Sequence, residues 1–174
     1  MKQSKIQKLI FCSLFTALTA AATLAIRIPS PVGGYINAGD ALVLYSAWTL
    51  GLPYAMFAAG VGSCLADLFS GYALFAPCTF AVKALTALTA KLVFDFLNRK
   101  NGDRRFITIL KRVTAGAAGE LIMIGGYFAY TALILGVGAG AAAEIPGNAV
   151  QALFGVAAAT ALSQMRISER IMKY

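Results

Sequence analysis

Six blocks of apolar sequence follow one another at short intervals, at about residues 5–26, 40–51, 53–70, 76–97, 106–135 and 145–165. A hydrocarbon core about 30 Å thick takes about 20 residues of helix, so four blocks are long enough to span one and the fifth has length to spare. The second block, at about 12 residues, reaches only part of the way. Gly51-Leu52-Pro53 then turns the chain back, because Gly permits the turn and Pro cannot continue a helix. The second and third blocks therefore predict a bent or tilted pair. Apolar residues make up 59% of the chain and charged ones 13%, which leaves too little polar face for a water-soluble bundle. The expected fold is an all-α membrane protein in which residues 1–174 form a single compact bundle of six transmembrane helices.

Orientation follows from the basic residues. Lys2, Lys5 and Lys8 begin the chain; Arg99, Lys100, Arg104, Arg105, Lys111 and Arg112 bracket the turn between the fourth and fifth blocks; Arg166, Arg170 and Lys173 follow the sixth. These are 12 of the 15 Lys and Arg residues, the others being Arg27, Lys83 and Lys91. Because such charges stay on the cytoplasmic side, both termini and the turn at 98–105 are expected there, with segments 29–39, 71–75 and 136–144 outside. The net charge of +8 is divided among helix ends rather than gathered on one face, so it calls for no nucleic-acid partner. The first block is too long for a signal-peptide core and lacks a polar cleavage region, which predicts a retained helix. Cys12, Cys64 and Cys78 fall inside or beside helices. An odd cysteine count with no His anywhere argues against a disulfide framework and against a zinc or haem site.

Small residues suggest how the helices pack. Ala17, Ala21 and Ala25 recur at spacing four in the first block, with Thr16, Ala20 and Thr23 beside them. Such a stripe lets another backbone approach closely, either within the bundle or on a second membrane subunit. Gly116, Gly119, Gly125, Gly126, Gly147 and Gly155 point to equally close packing in the last two blocks. The stretch 136–143, without charge or proline, reads as a mobile external loop.

Ionisable groups and amides inside membrane segments are expensive and so are functional candidates by default. Asp40 opens the second block after Asn37, and either could serve instead as a helix cap. Asp67 falls in the last turn of the third block. Lys83 lies about 10 Å below the outer end of the fourth. Glu120 and Tyr127, seven apart, share a face of the fifth, and Asn148 and Gln151, three apart, share one of the sixth. Asn37, Asp67, Lys83, Glu120, Tyr127, Asn148 and Gln151 are all expected in the outer half, where acid, base, amides and phenols suit a small polar ligand. An internal network, with Lys83 paired to Asp67 or Glu120, fits less well, because the amides of the sixth block and the loop before Asp40 point to the same region without an obvious need. Lys91, Asp95 and Gln164, nearer the cytoplasm, read as structural or snorkelling residues. No Gly-rich phosphate loop is present, so ATP hydrolysis is not expected of this chain. Without His there is no Ser–His or Cys–His pair, and no enzymatic activity is expected. No repeat of broken helices suggests a secondary transporter.

The order of several fragments resembles a known family. They are Ile28-Pro29-Ser30-Pro31 followed by Gly34-Tyr35-Ile36-Asn37-Ala38-Gly39-Asp40, then Ala66-Asp67-Leu68 with Gly71-Tyr72, and Ala76-Pro77-Cys78-Thr79 leading to Lys83. Gly119-Glu120 with Gly126-Tyr127-Phe128 and Pro146-Gly147-Asn148 with Gln151 and Gly155 complete the set. Over essentially the whole chain the sequence resembles the substrate-binding S component of energy-coupling-factor (ECF) vitamin transporters. The resemblance implies a high-affinity binder in a prokaryotic cell membrane, with no cofactor of its own. It would dock through Ala17, Ala21 and Ala25 on a membrane coupling subunit that carries two cytoplasmic ATPases, where ATP is used. It also implies that the loop holding Tyr35 and Asn37 is a lid, and that the loaded subunit topples in the membrane to release its cargo inward. With Asp40, Asp67, Lys83, Glu120, Tyr127, Asn148 and Gln151, these two complete the expected binding set. A single Trp48 departs from relatives that take thiamine, biotin or folate. The pattern favours a pyrimidine or pyridine cargo, such as hydroxymethylpyrimidine or a vitamin B6 form, with riboflavin next. The alternative is a structural or assembly subunit that binds no ligand.

Overall fold

The computed structural model describes residues 5–99 and 105–165. Lys2, Lys100, Arg104, Arg166, Arg170 and Lys173, half of the residues behind the orientation argument, lie outside the described residues, as do both termini. Six α-helices are described: α1 Lys5–Ala25, α2 Asp40–Thr49, α3 Leu52–Phe69, α4 Ala76–Leu97, α5 Arg105–Ala129 and α6 Ile145–Gln164. Each follows one apolar block. Pro53, Pro77 and Pro146 stand in the first turns of α3, α4 and α6, where the missing N–H has no partner to lose and the fixed φ suits a helix.

Two departures from the sequence reading concern backbone that hydropathy alone does not describe. The fifth block is not one uniform helix, for α5 ends at Ala129 and continues as a π-helical turn, Tyr130–Ile134. The stretch read as a mobile loop is instead largely a 3-10 helix, Gly138–Glu144, running directly into α6. Alanine-rich sequence favours helix, and two buried residues, Ala141 and Glu144, hold this segment against the bundle.

Four helical stretches among the described residues are long and apolar enough to cross a membrane: Lys5–Ala25, Leu52–Phe69, Arg105–Ile134 and Gly138–Gln164. Of the others, α4 has 22 residues but carries Lys83, Lys91 and Asp95, and α2 has only 10. The short helix is the hub. Neighbours pack in the order α1, α3, α4, α5, α6, α2, and α2 also touches α1, α3, α4 and α5. Eight of its ten residues are buried, Val43, Leu44 and Ala47 completely. An element surrounded by helices needs apolar residues on every side, as Asp40-Ala-Leu-Val-Leu-Tyr-Ser-Ala-Trp-Thr49 supplies beyond its first residue.

Close approach relies on glycine. A Cβ at Gly62 of α3 would stand 2.6 Å from the Thr16 carbonyl oxygen of α1, and one at Gly119 of α5 would stand 2.8 Å from that of Thr86 in α4. Both distances are shorter than contact, so these backbones meet only because the side chain is absent.

Polarity is distributed inside out. Leu9, Leu14 and Leu18 of α1, Phe57 and Phe69 of α3, Phe96 of α4, Leu121 of α5 and Leu153 of α6 are exposed. Asp40, Asp67, Lys83, Glu120 and Gln151 are each no more than 3% exposed. In water this arrangement would leave a large apolar surface unpaired; in hydrocarbon the exterior needs no partner and the ionised groups need the interior.

Candidate functional site

Between α1 and α2 the chain forms a feature the sequence reading missed, an antiparallel hairpin. Its strands are β1, Arg27–Pro29, and β2, Tyr35–Asn37, with Ile28 opposite Ile36. Ser30-Pro31-Val32-Gly33 makes the turn: the Gly33 N–H reaches the Ser30 carbonyl, the Ser30 N–H donates to the Gly34 carbonyl at 2.8 Å, and Gly33 has φ of +96°. Pro presets the turn and Gly takes its left-handed position. The local signal was present in the sequence, but three-residue strands are too short to alternate visibly.

The hairpin covers a cavity whose wall is drawn from every helix except α2. Its lining residues include Tyr35 and Asn37 from β2, Asp67 from α3, Lys83 from α4, Tyr127 from α5 and Asn148 from α6. The structure therefore brings six of the nine expected residues to one cavity. The cavity has a volume of about 30 Å³, room for only a few waters. With the hairpin in this position, a ring-sized molecule enters only if the hairpin or its neighbours move.

The other three expected residues, Asp40, Glu120 and Gln151, lie outside the lining. Two of them join the floor. Lys83 donates to Asp40 Oδ1, not to Asp67 or Glu120 as the sequence suggested. The reason is topological: the central α2 brings its first residue against α4, a proximity that depth along separate spans does not encode. Gln151 Nε2 donates to Asp40 Oδ2 at 2.5 Å, and its Oε1 accepts the Asn37 backbone N–H at 2.7 Å. Neither Asp40 nor Asn37 caps α2 by a side chain; the N-cap is Gly39, whose N–H is taken by Asn37 Oδ1 at 2.9 Å. Glu120 lies close to this pair, with neither carboxylate oxygen hydrogen-bonded.

This wiring ties the hairpin to the floor. Gln151 joins β2 to α2, while Ile36 lies against the start of α6, where a Cβ on Gly147 would be 2.9 Å from Ile36 Cδ1. Replacing Gln151 by Ala should orphan the Asn37 N–H and one Asp40 oxygen, at about 1–3 kcal/mol for each buried group. Ligand dissociation should quicken more than association slows, because the closed hairpin loses its tether. Stopped-flow measurement of both rates checks this; equal effects on both would contradict the tether.

Near the hairpin, Tyr35 OH donates to Asp67 Oδ1 at 2.5 Å and the Tyr35 ring lies 4.7 Å from that of Tyr72. Burial, reinforced by the hydrogen bond and charge of Asp67, holds the Tyr35 phenol well above its ordinary pKa, so it remains a donor. Lys83 Nζ lies 5.4 Å from the centre of the Tyr127 ring, whose hydroxyl donates to Thr79 at 3.1 Å. Such a cation over a ring is attractive, more so where water is excluded.

Some lining residues were not anticipated. Glu144, Ser63 and Thr79 face the cavity, along with Thr23, Ser30 and Phe75. Glu144 is 5% exposed and accepts from Thr131 at 3.0 Å. A clue existed, since it is the one charge in a long uncharged stretch immediately before Ile145-Pro146. Lys91 and Asp95 form an ion pair at 2.9 Å away from the cavity, and Gln164 accepts from Arg105 at 3.0 Å, as expected of structural residues.

The small-residue stripe on α1 does not pack within its own bundle. Ala17, Ala21 and Ala25 are all exposed, while Cys12, Phe15, Thr19 and Thr23 form the buried face. Ala21 and Thr23 are two residues apart, about 200° around the helix, so cavity and stripe occupy opposite sides of α1.

A family model described as ECF-type riboflavin transporter, S component, matches residues 3–167. A protein of Pyrococcus woesei, described as an uncharacterized protein in gap 3'region, is 33% identical over 135 residues, 77% of this chain and 84% of that protein. The solved structure of the S component of a bacterial ECF transporter matches with a TM-score of 0.69 at 19% identity, over 97% of this chain and 99% of that one. At that identity, the likeness speaks for the fold.

Proposed function

This chain belongs to the ECF-type riboflavin transporter S component family, a family of transport subunits rather than enzymes, and from that premise we propose that it captures a small water-soluble vitamin or precursor for ATP-driven import. The observation that carries the reading is the cavity beneath the β1–β2 hairpin, where polar groups from five helices converge inside an otherwise apolar exterior. Asp40, Lys83 and Gln151 satisfy one another beneath it, while Asp67 Oδ2 and Ser63 Oγ have no hydrogen-bond partner in its wall.

In this reading residues 1–174 form one six-span domain of a prokaryotic plasma membrane, with both termini cytoplasmic and the hairpin outside. Tyr35, Asn37, Asp67, Lys83, Tyr127 and Asn148 meet the cargo, while Asp40 and Gln151 support the floor with Glu120 beside them. The exposed stripe Ala17, Ala21, Ala25 docks on a membrane coupling subunit with two cytoplasmic ATPases, which use the ATP. The chain itself holds no cofactor. The family brings riboflavin forward as the first cargo to test, followed by hydroxymethylpyrimidine and vitamin B6 forms.

Purified protein titrated calorimetrically with riboflavin, hydroxymethylpyrimidine, pyridoxine and other B vitamins should bind at least one below micromolar concentration. Absence of binding to every compound would leave the assembly-subunit alternative standing.

A further inference from the structure

The charges around the cavity constrain the cargo beyond its being a vitamin, an inference that rests on the binding reading above. Two carboxylates reach the cavity. Asp67, 3% exposed, gives one oxygen to Tyr35, and its Oδ2 has no hydrogen-bond partner. Thr79 stands beside it, with its own oxygen accepting from Tyr127, yet Oδ2 is still without a bond of normal geometry. Glu144, 5% exposed, gives Oε2 to Thr131, while Oε1 receives only a long 3.5 Å contact from Ser30. Gly34 of the hairpin lies over that oxygen, so closely that a Cβ there would stand 3.3 Å from it. Each carboxylate therefore offers an acceptor that the protein leaves unused or weakly used.

Lys83 is the one cation among the lining residues that are described, and its charge is already met by Asp40. Among the described residues the lining contains no Arg. Behind the wall, Glu120 adds a further acid rather than a base. An anion site has the opposite composition, with guanidinium groups or backbone N–H groups converging on the ligand. Here a bound anion would be brought, with its water stripped, against two buried carboxylates.

We propose that the cargo is an uncharged or cationic molecule whose N–H or O–H groups donate to Asp67 and Glu144, and that carboxylated or phosphorylated forms of the same molecule are rejected. Ser63, whose hydroxyl is buried without a partner, supplies a further contact at the Asp67 end. The rejection acts through repulsion and desolvation rather than shape, since like charges brought together in a dry site are disfavoured strongly.

The test is calorimetric titration of the unaltered full-length chain with compounds paired by charge: nicotinamide and nicotinate, riboflavin and its 5'-phosphate, pyridoxine and its 5'-phosphate. In every pair that binds, the uncharged member should bind roughly 100-fold tighter or more. An anionic member that binds as tightly as its partner overturns this proposal while leaving the vitamin site intact. If no member of any pair binds, and other vitamins also fail, the binding reading itself falls and this one with it. Because phosphate adds bulk as well as charge, the riboflavin and pyridoxine pairs are repeated in Asp67→Asn and Glu144→Gln, which keep shape and remove charge. Charge rejection predicts that the ratio narrows at least about tenfold in one of them. A ratio unchanged in both folded variants, as judged by thermal unfolding, would mean that size excludes the phosphate, and would overturn the assignment to these carboxylates.

Discussion

Lys83→Met should destabilise the purified protein by about 3–5 kcal/mol, one of the largest effects expected of any single substitution. Among the described residues Lys83 is the largest side chain less than 2% exposed, and its partner Asp40 is completely buried. Removing the ammonium leaves the buried Asp40 carboxylate with only the Gln151 amide as a partner. The loss comes mainly from the uncompensated buried charge and only secondarily from the pair itself, because desolvation of both ions offsets much of their attraction. Lys83→Met with Asp40→Leu should therefore recover much of the stability that the single change removes. Thermal unfolding in detergent checks both variants; a single variant as stable as the parent, or a double variant worse than the single, would contradict the pairing. Binding is a separate matter. The double variant should still bind weakly at best, since Lys83 also lines the cavity and faces Tyr127.

Leu at both Ala17 and Ala21 should abolish uptake and co-purification with the coupling subunit while leaving ligand affinity within about twofold. The argument is geometric. Both alanines are exposed on the side of α1 opposite Thr19 and Thr23, so the added volume points away from the buried face of the helix. It does meet any helix that approaches as closely as small residues allow, where overpacking costs about 1–3 kcal/mol for each ill-fitting side chain. Several such costs across one interface are enough to dissociate a complex of micromolar affinity. Retained assembly in a pull-down would show that the coupling subunit sits elsewhere, and lost ligand binding would show that the substitution disturbs the bundle.

The two variants also mark how differently parts of the molecule could be read from residues. The helices were legible because apolar runs of bilayer length, punctuated by Gly51, Pro53, Pro77 and Pro146, leave little freedom in where helices start and stop. The polar set was legible because ionisable groups are scarce in such runs, and six of nine do line the cavity. Pairing within that set was not legible. Lys83 was expected against Asp67 or Glu120, and took Asp40 because α2 runs through the centre of the bundle. Glu144 was passed over because 136–143 has the composition of a loop. The hairpin was missed because a turn of Ser30-Pro31-Val32-Gly33 closes strands of only three residues each.

What the sequence determined alone was therefore local and one-dimensional: the approximate extents of the α-helices, the scarcity of polar groups within them, and the periodicity that put Ala17, Ala21 and Ala25 on one stripe. Those follow from chain geometry and the energetics of transfer into hydrocarbon, which act on each segment separately. Tertiary structure alone decided which groups meet. It set α2 at the hub, joined Lys83 to Asp40, turned the stripe outward and left Asp67 and Glu144 facing the cavity. A hydrogen bond or ion pair requires two atoms within about 3 Å, and only the packing of the whole bundle specifies distances that short between residues far apart in the chain.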